Sequence, residues 1–257
     1  MNFMGNFAKL VFLLLFGFGL HPAMAADEES YITKGNAEYA AGKYQAAAEQ
    51  YLKVTSSGFQ SSALYYNLGN CYFKLGDMPR SILWYERARK LDPGNEDVNF
   101  NLNVANSRIT DKIEPLPEFF LKRWIWSLIF LQSADNWAVT GIAILIASLI
   151  LLSLYIASRV LVLRKAGFWG GISALIFALI FLSFAWAGHH SFLSDQAAII
   201  LTPTLTVKSS PDEKSTDIFV IHEGCKVVLQ DRIGEWFEIR IASGSVGWVK
   251  QSDFEKI

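Results

Sequence analysis

Three rhythms of apolar residues divide the chain. Up to about residue 112 they recur at helical spacing, as in Val98, Leu102, Ala105 and Ile109. Two later stretches, Trp137 to Ser158 and Phe168 to Gly188, are apolar and uncharged. Each is long enough to cross a bilayer, which takes about 20 such residues. From Gln196 short β-rich runs take over: Ala198 to Leu201, Leu205 to Lys208, Phe219 to Ile221, Lys226 to Gln230, Trp236 to Ile241 and Gly247 to Lys250. Pro203, Ser209-Ser210-Pro211-Asp212, Glu223-Gly224, Gly234-Glu235 and Ser243-Gly244 punctuate them. The expected fold class is a multidomain membrane protein: an all-α helix-pair stack, two transmembrane helices and a small C-terminal all-β barrel.

The first 25 residues follow another rule. Lys9 precedes the apolar run Leu10 to Leu20, then Ala23-Met24-Ala25 and the acidic Asp27-Glu28-Glu29. That order predicts a signal peptide over 1–25, with an uncleaved anchor as its alternative.

Within residues 26–112 the sequence repeats. Tyr31, Gly35, Asn36, Gly42 and Tyr51 recur 34 positions later as Tyr65, Gly69, Asn70, Gly76 and Tyr85, and Ala47 falls opposite Ser81. Gly69 removes a side chain where two helices approach, Gly76 suits a left-handed helix end, and Asp77 with Pro79 suits a helix start. The period and these residues, closing on Ala88 and Leu91-Asp92-Pro93, resemble the tetratricopeptide repeat family. Repeats are expected at about 28–61 and 62–95, with a capping helix at about 96–110. The resemblance implies a protein-binding groove lined by Asn36, Tyr39, Tyr66, Asn70, Phe73 and Lys74. Asn36 and Asn67 match one form of groove that clamps a carboxylate tail. Ile32, Asp97 and Asn101 stand where that clamp wants basic residues, so an apolar helix or extended peptide is the expected ligand.

Direction in the membrane is read from charge. The connection 159–167 carries Arg159, Arg164 and Lys165, which the positive-inside rule places in the cytoplasm. Both terminal domains of a multi-pass protein are then expected on the opposite side, and the bacterial families resembled below imply an inner membrane with periplasmic domains. Trp137, Trp169 and Trp186 suit an interfacial belt. Over 113–136, Phe119 to Leu131 follows Pro115-Leu116-Pro117 and mixes aromatic, basic and aliphatic residues. It reads as a linker and a helix lying on lipid, or as a partner-contact helix.

The segment 196–257 carries Leu205-Thr206-Val207-Lys208-Ser209-Ser210-Pro211, then Glu223-Gly224, Gly234-Glu235-Trp236 and Gly247-Trp248-Val249. In that order they resemble the bacterial SH3 family, which implies an SH3-like barrel that binds protein segments or peptidoglycan. Trp236 and Trp248 are its candidate contact residues; core burial of Trp236 and half-burial of Trp248 are the alternative.

Composition narrows the chemistry. Hydrophobic residues make up 52% and charged residues 18%, below the roughly 25% charge of soluble domains, in keeping with lipid-embedded segments. A net charge of −1 offers no drive toward nucleic acid. No nucleophile elbow, phosphate-binding loop, dinucleotide fingerprint or zinc helix occurs, so no catalytic residue, metal or cofactor is expected. His189 and His190 read as interfacial residues. Cys71 and Cys225 leave a disulfide conceivable, though they belong to separate domains.

The whole order resembles the Bacteroides aerotolerance (Bat) group. That resemblance implies partners among membrane proteins with von Willebrand A domains and a MoxR-type AAA+ ATPase. The expected function is a non-enzymatic, membrane-anchored adaptor or scaffold in an aerotolerance or stress complex. A peptidoglycan-binding wall sensor or anchor is the alternative.

Overall fold

A computed structural model describes residues 26–114, 116, 119–194 and 196–257. The signal-peptide expectation, 1–25, lies outside them. The chain forms two compact units, one ending at Phe59 and one running from Gln60 to Ile257.

The first unit holds α1 (Ala26–Ala40) and α2 (Tyr44–Ser56), joined through Gly42 at φ +76°. Gly35 makes their crossing possible, since a Cβ there would lie 2.5 Å from Tyr51 Cε1. The Tyr51 hydroxyl donates to Asn36 Oδ1 at 2.7 Å. Small Ala47 and Ala48 are buried beside Tyr51 and Val54.

The second unit repeats this device. It begins with α3 (Ser62–Leu75), whose cap Ser61 accepts from the Leu64 N–H. Gly76, at φ +81°, ends it. Asp77 then caps α4 (Met78–Leu91) by accepting from the Arg80 N–H, with Pro79 in the first turn, where a missing N–H leaves no bond unmade. A Cβ on Gly69 would again lie 2.5 Å from a tyrosine Cε1, here that of Tyr85. Ser81, opposite Ala47 in the repeat, donates to the Gly69 carbonyl at 3.0 Å. Next comes α5 (Glu96–Asn106), capped by Asn95 and buried through Val98, Leu102 and Ala105.

Beyond α5 the chain runs against the C-terminal sheet. Asp111 accepts from the His222 N–H at 2.6 Å and pairs with the His222 ring at 2.9 Å. Ile113 packs on the sheet core, and the Leu116 N–H donates to the Ala242 carbonyl. An extended, proline-flanked stretch makes few bonds of its own, so these partners satisfy it.

α6 (Phe120–Ile129) exposes Phe120, Leu121, Trp124 and Ile125. α7 (Ala134–Ala157) and α8 (Leu161–Ser194) are both long and apolar enough to cross a membrane. At 1.5 Å per residue they span about 36 and 51 Å. Only 158–160 separate them. The expected connection 159–167 is therefore mostly helical, because Arg164 and Lys165 favour a helix as much as any apolar residue does. The two helices pack at Gly141 against Leu182 and at Gly171 against Leu152, and Ser148 donates to the Gly171 carbonyl at 2.8 Å.

Seven antiparallel strands follow: β1 (Ala197–Ile200), β2 (Thr204–Lys208), β3 (Asp217–His222), β4 (Lys226–Ile233), β5 (Trp236–Arg240), β6 (Val246–Lys250) and β7 (Phe254–Lys256). Their order is β3-β2-β6-β5-β4-β1-β7. The sheet is strongly curled. Three strand spacings separate β5 from β7, about 14 Å on a flat sheet, yet the Phe237 and Phe254 rings lie 5.2 Å apart. It is not closed into the expected barrel: β3 and β7 remain edges.

β1 is buried along its whole length. Ala198 and Ile200 face the sheet core with Val227, Phe237 and Ile239. Ile199 faces the other way, onto Ile82, Leu83, Tyr85, Leu102 and Ala105 of α4 and α5. The open end of the second helix pair is thus sealed by a strand as well as by α5. Arg87–Glu255 at 2.9 Å and Lys226–Glu86 at 3.1 Å edge the same junction.

Candidate protein-binding groove

Four residues of α3, α4 and α5 share one hydrogen-bonded cluster. Tyr85 donates its hydroxyl to Asn70 Oδ1 at 2.6 Å. Asn101 Nδ2 reaches the same oxygen at 3.1 Å and the Tyr66 hydroxyl oxygen at 3.0 Å. Two donors on one carbonyl oxygen occupy both its lone pairs. Asn70 therefore ties three helices together. Asn36 has the equivalent bond from Tyr51, so the asparagines hold repeat geometry.

The aromatic residues lie nearer the surface, and Tyr66 and Phe73 also pack against the core formed by Ile82, Leu83, Tyr85 and Leu102. Tyr66 and Phe73 are half-buried. The Arg108 guanidinium sits 4.4 Å above the Phe73 ring, a cation–π contact that keeps the ring oriented. Lys74 is exposed in the last turn of α3. In the first unit Tyr39 meets Tyr44 edge-on, with ring centroids 5.2 Å apart.

Phe100, on α5, was absent from the expected set. It is 68% exposed and stands 34 positions after Tyr66, as Tyr66 stands after Ile32. The repeat offset, carried one period further, would have found it. Arg108 and the hydrogen-bonding part played by Asn101 depend on how α5 folds back, which spacing alone does not give.

The sheet has its own aromatic face. Trp236 pairs across strands with Lys250, and Trp248 with Glu238. All four point away from the core, since Phe237 and Val249 between them point in. Lys250 Nζ lies 5.5 Å from the Trp236 ring centre and is held by Glu213. Both tryptophans are half-buried, and Trp236 is not a core residue.

Other candidate chemistry is quiet. Cys71 and Cys225 are free, so the conceivable disulfide is not formed. Burial pushes each thiol up to about 12. A neutral, buried thiol is a poor nucleophile. Among the described residues no three His, Cys, Asp or Glu side chains converge to hold a metal.

The family model for the tetratricopeptide repeat matches residues 32–96, from within α1 to the first residue of α5. No curated protein matches the chain. The chain therefore contains tetratricopeptide repeats, which typically serve as non-catalytic scaffolds for protein–protein interaction.

Proposed function

We propose that this protein is a membrane-anchored adaptor whose repeats grip an apolar helix or extended peptide of an envelope partner. The carrying observation is Phe100, a large aromatic 68% exposed, on the same repeat offset as Tyr66 and beside that hydrogen-bonded cluster. Exposed aromatics on a rigid base lose little freedom on binding, and such anchors dominate interface energies. Tyr66, Phe73 and Phe100 are the proposed apolar contacts, with Lys74 at one end. Asn70 holds the surface in shape, and Asn36 with Tyr39 stands at the matching positions of the first repeat.

α7 and α8 anchor the adaptor in a bacterial inner membrane. Their length and apolarity support this, and Arg159, Arg164 and Lys165 at one end support a cytoplasmic connection with periplasmic terminal parts. The curled sheet is proposed as the SH3-like module, presenting Trp236 and Trp248. The order of modules supports membership of a Bat-type stress complex.

The test is co-purification of the full-length chain from native membranes in mild detergent. Phe73→Ala with Phe100→Ala should lose the partner, because truncating one anchor costs 2 kcal/mol or more, about thirtyfold. Trp236→Ala with Trp248→Ala should retain it. The reverse pattern would move binding to the sheet and favour the wall-binding alternative.

A further inference from the structure

α6 sorts its residues by chemistry around its axis. At 3.6 residues per turn, Phe120, Leu121, Trp124, Ile125 and Leu128 fall on one side, and Lys122, Arg123 and Trp126 on the other. In a soluble domain such an apolar face turns toward the core. Here it is largely bare: Phe120 is 70% exposed, Trp124 59%, Leu121 44% and Ile125 41%. The polar side carries charge of a single sign, since no acidic residue lies between Phe119 and Ala134.

The place of the helix in the fold says what covers that face. Its last residue, Ile129, is buried and fastened to the paired apolar helices. The Ile129 carbonyl accepts from the Trp137 indole N–H at 2.8 Å, in the first turn of α7. A Cβ on Gly188 of α8 would lie 3.7 Å from the Ile129 side chain. If α7 and α8 span lipid, α6 is thus attached at the level where they leave the hydrocarbon, and exposed Trp186 lies at the same end. Ten residues at 1.5 Å each reach about 15 Å. That is about half of the roughly 30 Å hydrocarbon thickness, so α6 is too short to cross but stays close to the boundary along its whole length. An aromatic and aliphatic face opposite a basic one, at this level, fits acyl chains on one side and headgroups on the other.

We propose that α6 lies in the interfacial layer of the bilayer, with Phe120, Leu121, Trp124 and Ile125 among the acyl chains and Lys122 and Arg123 toward headgroups and water. This deepens the membrane-anchored reading and rests on it. It also gives the second helix pair a fixed stance. After α4 the chain turns through Gly94, where a Cβ would strike the Leu131 carbonyl oxygen just beyond α6. A helix held in lipid at that corner holds the pair against the membrane surface.

The experiment reads depth in the full-length chain, reconstituted into phosphatidylcholine–phosphatidylglycerol vesicles. A nitroxide spin label is attached in turn at Leu121→Cys, Arg123→Cys, Ile125→Cys and Ile150→Cys, the last in the middle of α7. The parent chain, whose Cys71 and Cys225 are buried, is the blank. Oxygen concentrates in the bilayer and a nickel chelate in water, so the ratio of their collision rates with the label gives depth. Oxygen should dominate at 121 and 125 and nickel at 123. Nickel dominance at 121 and 125 would leave the apolar face in water, open to a protein partner, and overturn the proposal. Exclusion of both reagents there would mean contact with a second copy and overturn it as well. Position 150 separates the two ways of failing. Oxygen dominance at 150 with nickel dominance at 121 and 125 removes the interfacial helix alone, whereas nickel dominance at 150 removes the membrane reading with it.

Discussion

Adding a single methyl group at Gly69 probes the contact that sets the angle between α3 and α4. The new Cβ would sit 2.5 Å from Tyr85 Cε1, where ordinary carbon contacts are about 3.5–4.0 Å. The ring must retreat by about 1 Å. Its hydroxyl then leaves Asn70 Oδ1, now at 2.6 Å, and loosens the asparagine that Asn101 also holds. Overpacking costs about 1–3 kcal/mol and a lost hydrogen bond about 0.5–1.5, while alanine recovers up to about 1 in helix propensity. The net is about 2 kcal/mol. Hydrogen–deuterium exchange on the full-length chain in detergent reads this as about thirtyfold less protection across α3 and α4. Combining Gly69→Ala with Tyr85→Leu removes the ring that the methyl group strikes. The double variant should therefore lose less than the sum of the single variants. Unchanged protection in Gly69→Ala, or strict additivity in the pair, would refute the contact.

Three further outcomes are expected. Asp111→Ala removes both bonds to His222, so exchange at the end of β3 should rise while α3 and α4 keep their protection; a uniform response would mean that Asp111 is not a local clasp. Cys71 and Cys225 should resist alkylation at pH 8 until urea exposes them, and rapid labelling of the folded chain would contradict their burial. Because burial raises both thiols from 9.0 to about 12, the unfolded chain loses these protons first as pH rises. Between those values their contribution to stability therefore falls with rising pH.

The repeats were readable because one steric solution is written twice: glycine, asparagine and tyrosine at the same three offsets, 35, 36 and 51 and then 69, 70 and 85. Six of the seven strands were readable from apolar runs between turn residues. β7 was not, since Phe254, Glu255 and Lys256 offer one inward residue and no alternation. The helical turns of α8 before Phe168 were not legible, because charge was used to bound an apolar run, and charge does not end a helix. The apolar run at Ala197–Ile200 held an unread signal: a strand without a polar face has both faces covered. What covers it could not be read. Ile199 meets Ile82 and Lys226 meets Glu86 across more than a hundred residues, and no local pattern encodes such pairing. For the proposed groove, the family resemblance named Tyr66, Phe73 and Asn70 but did not distinguish an anchor from a clamp. That distinction rests on the two donors converging on Asn70 Oδ1.

Site-specific photocrosslinking in native membranes tests the adaptor claim most directly. A photoreactive residue is placed at Phe73, at Phe100 or, as a control, at exposed Arg80 on α4. The account predicts one shared protein adduct from Phe73 and Phe100, none from Arg80, and loss of that adduct when Tyr66→Ala is added. Equal adducts from all three positions, or none from the two groove positions, would contradict it.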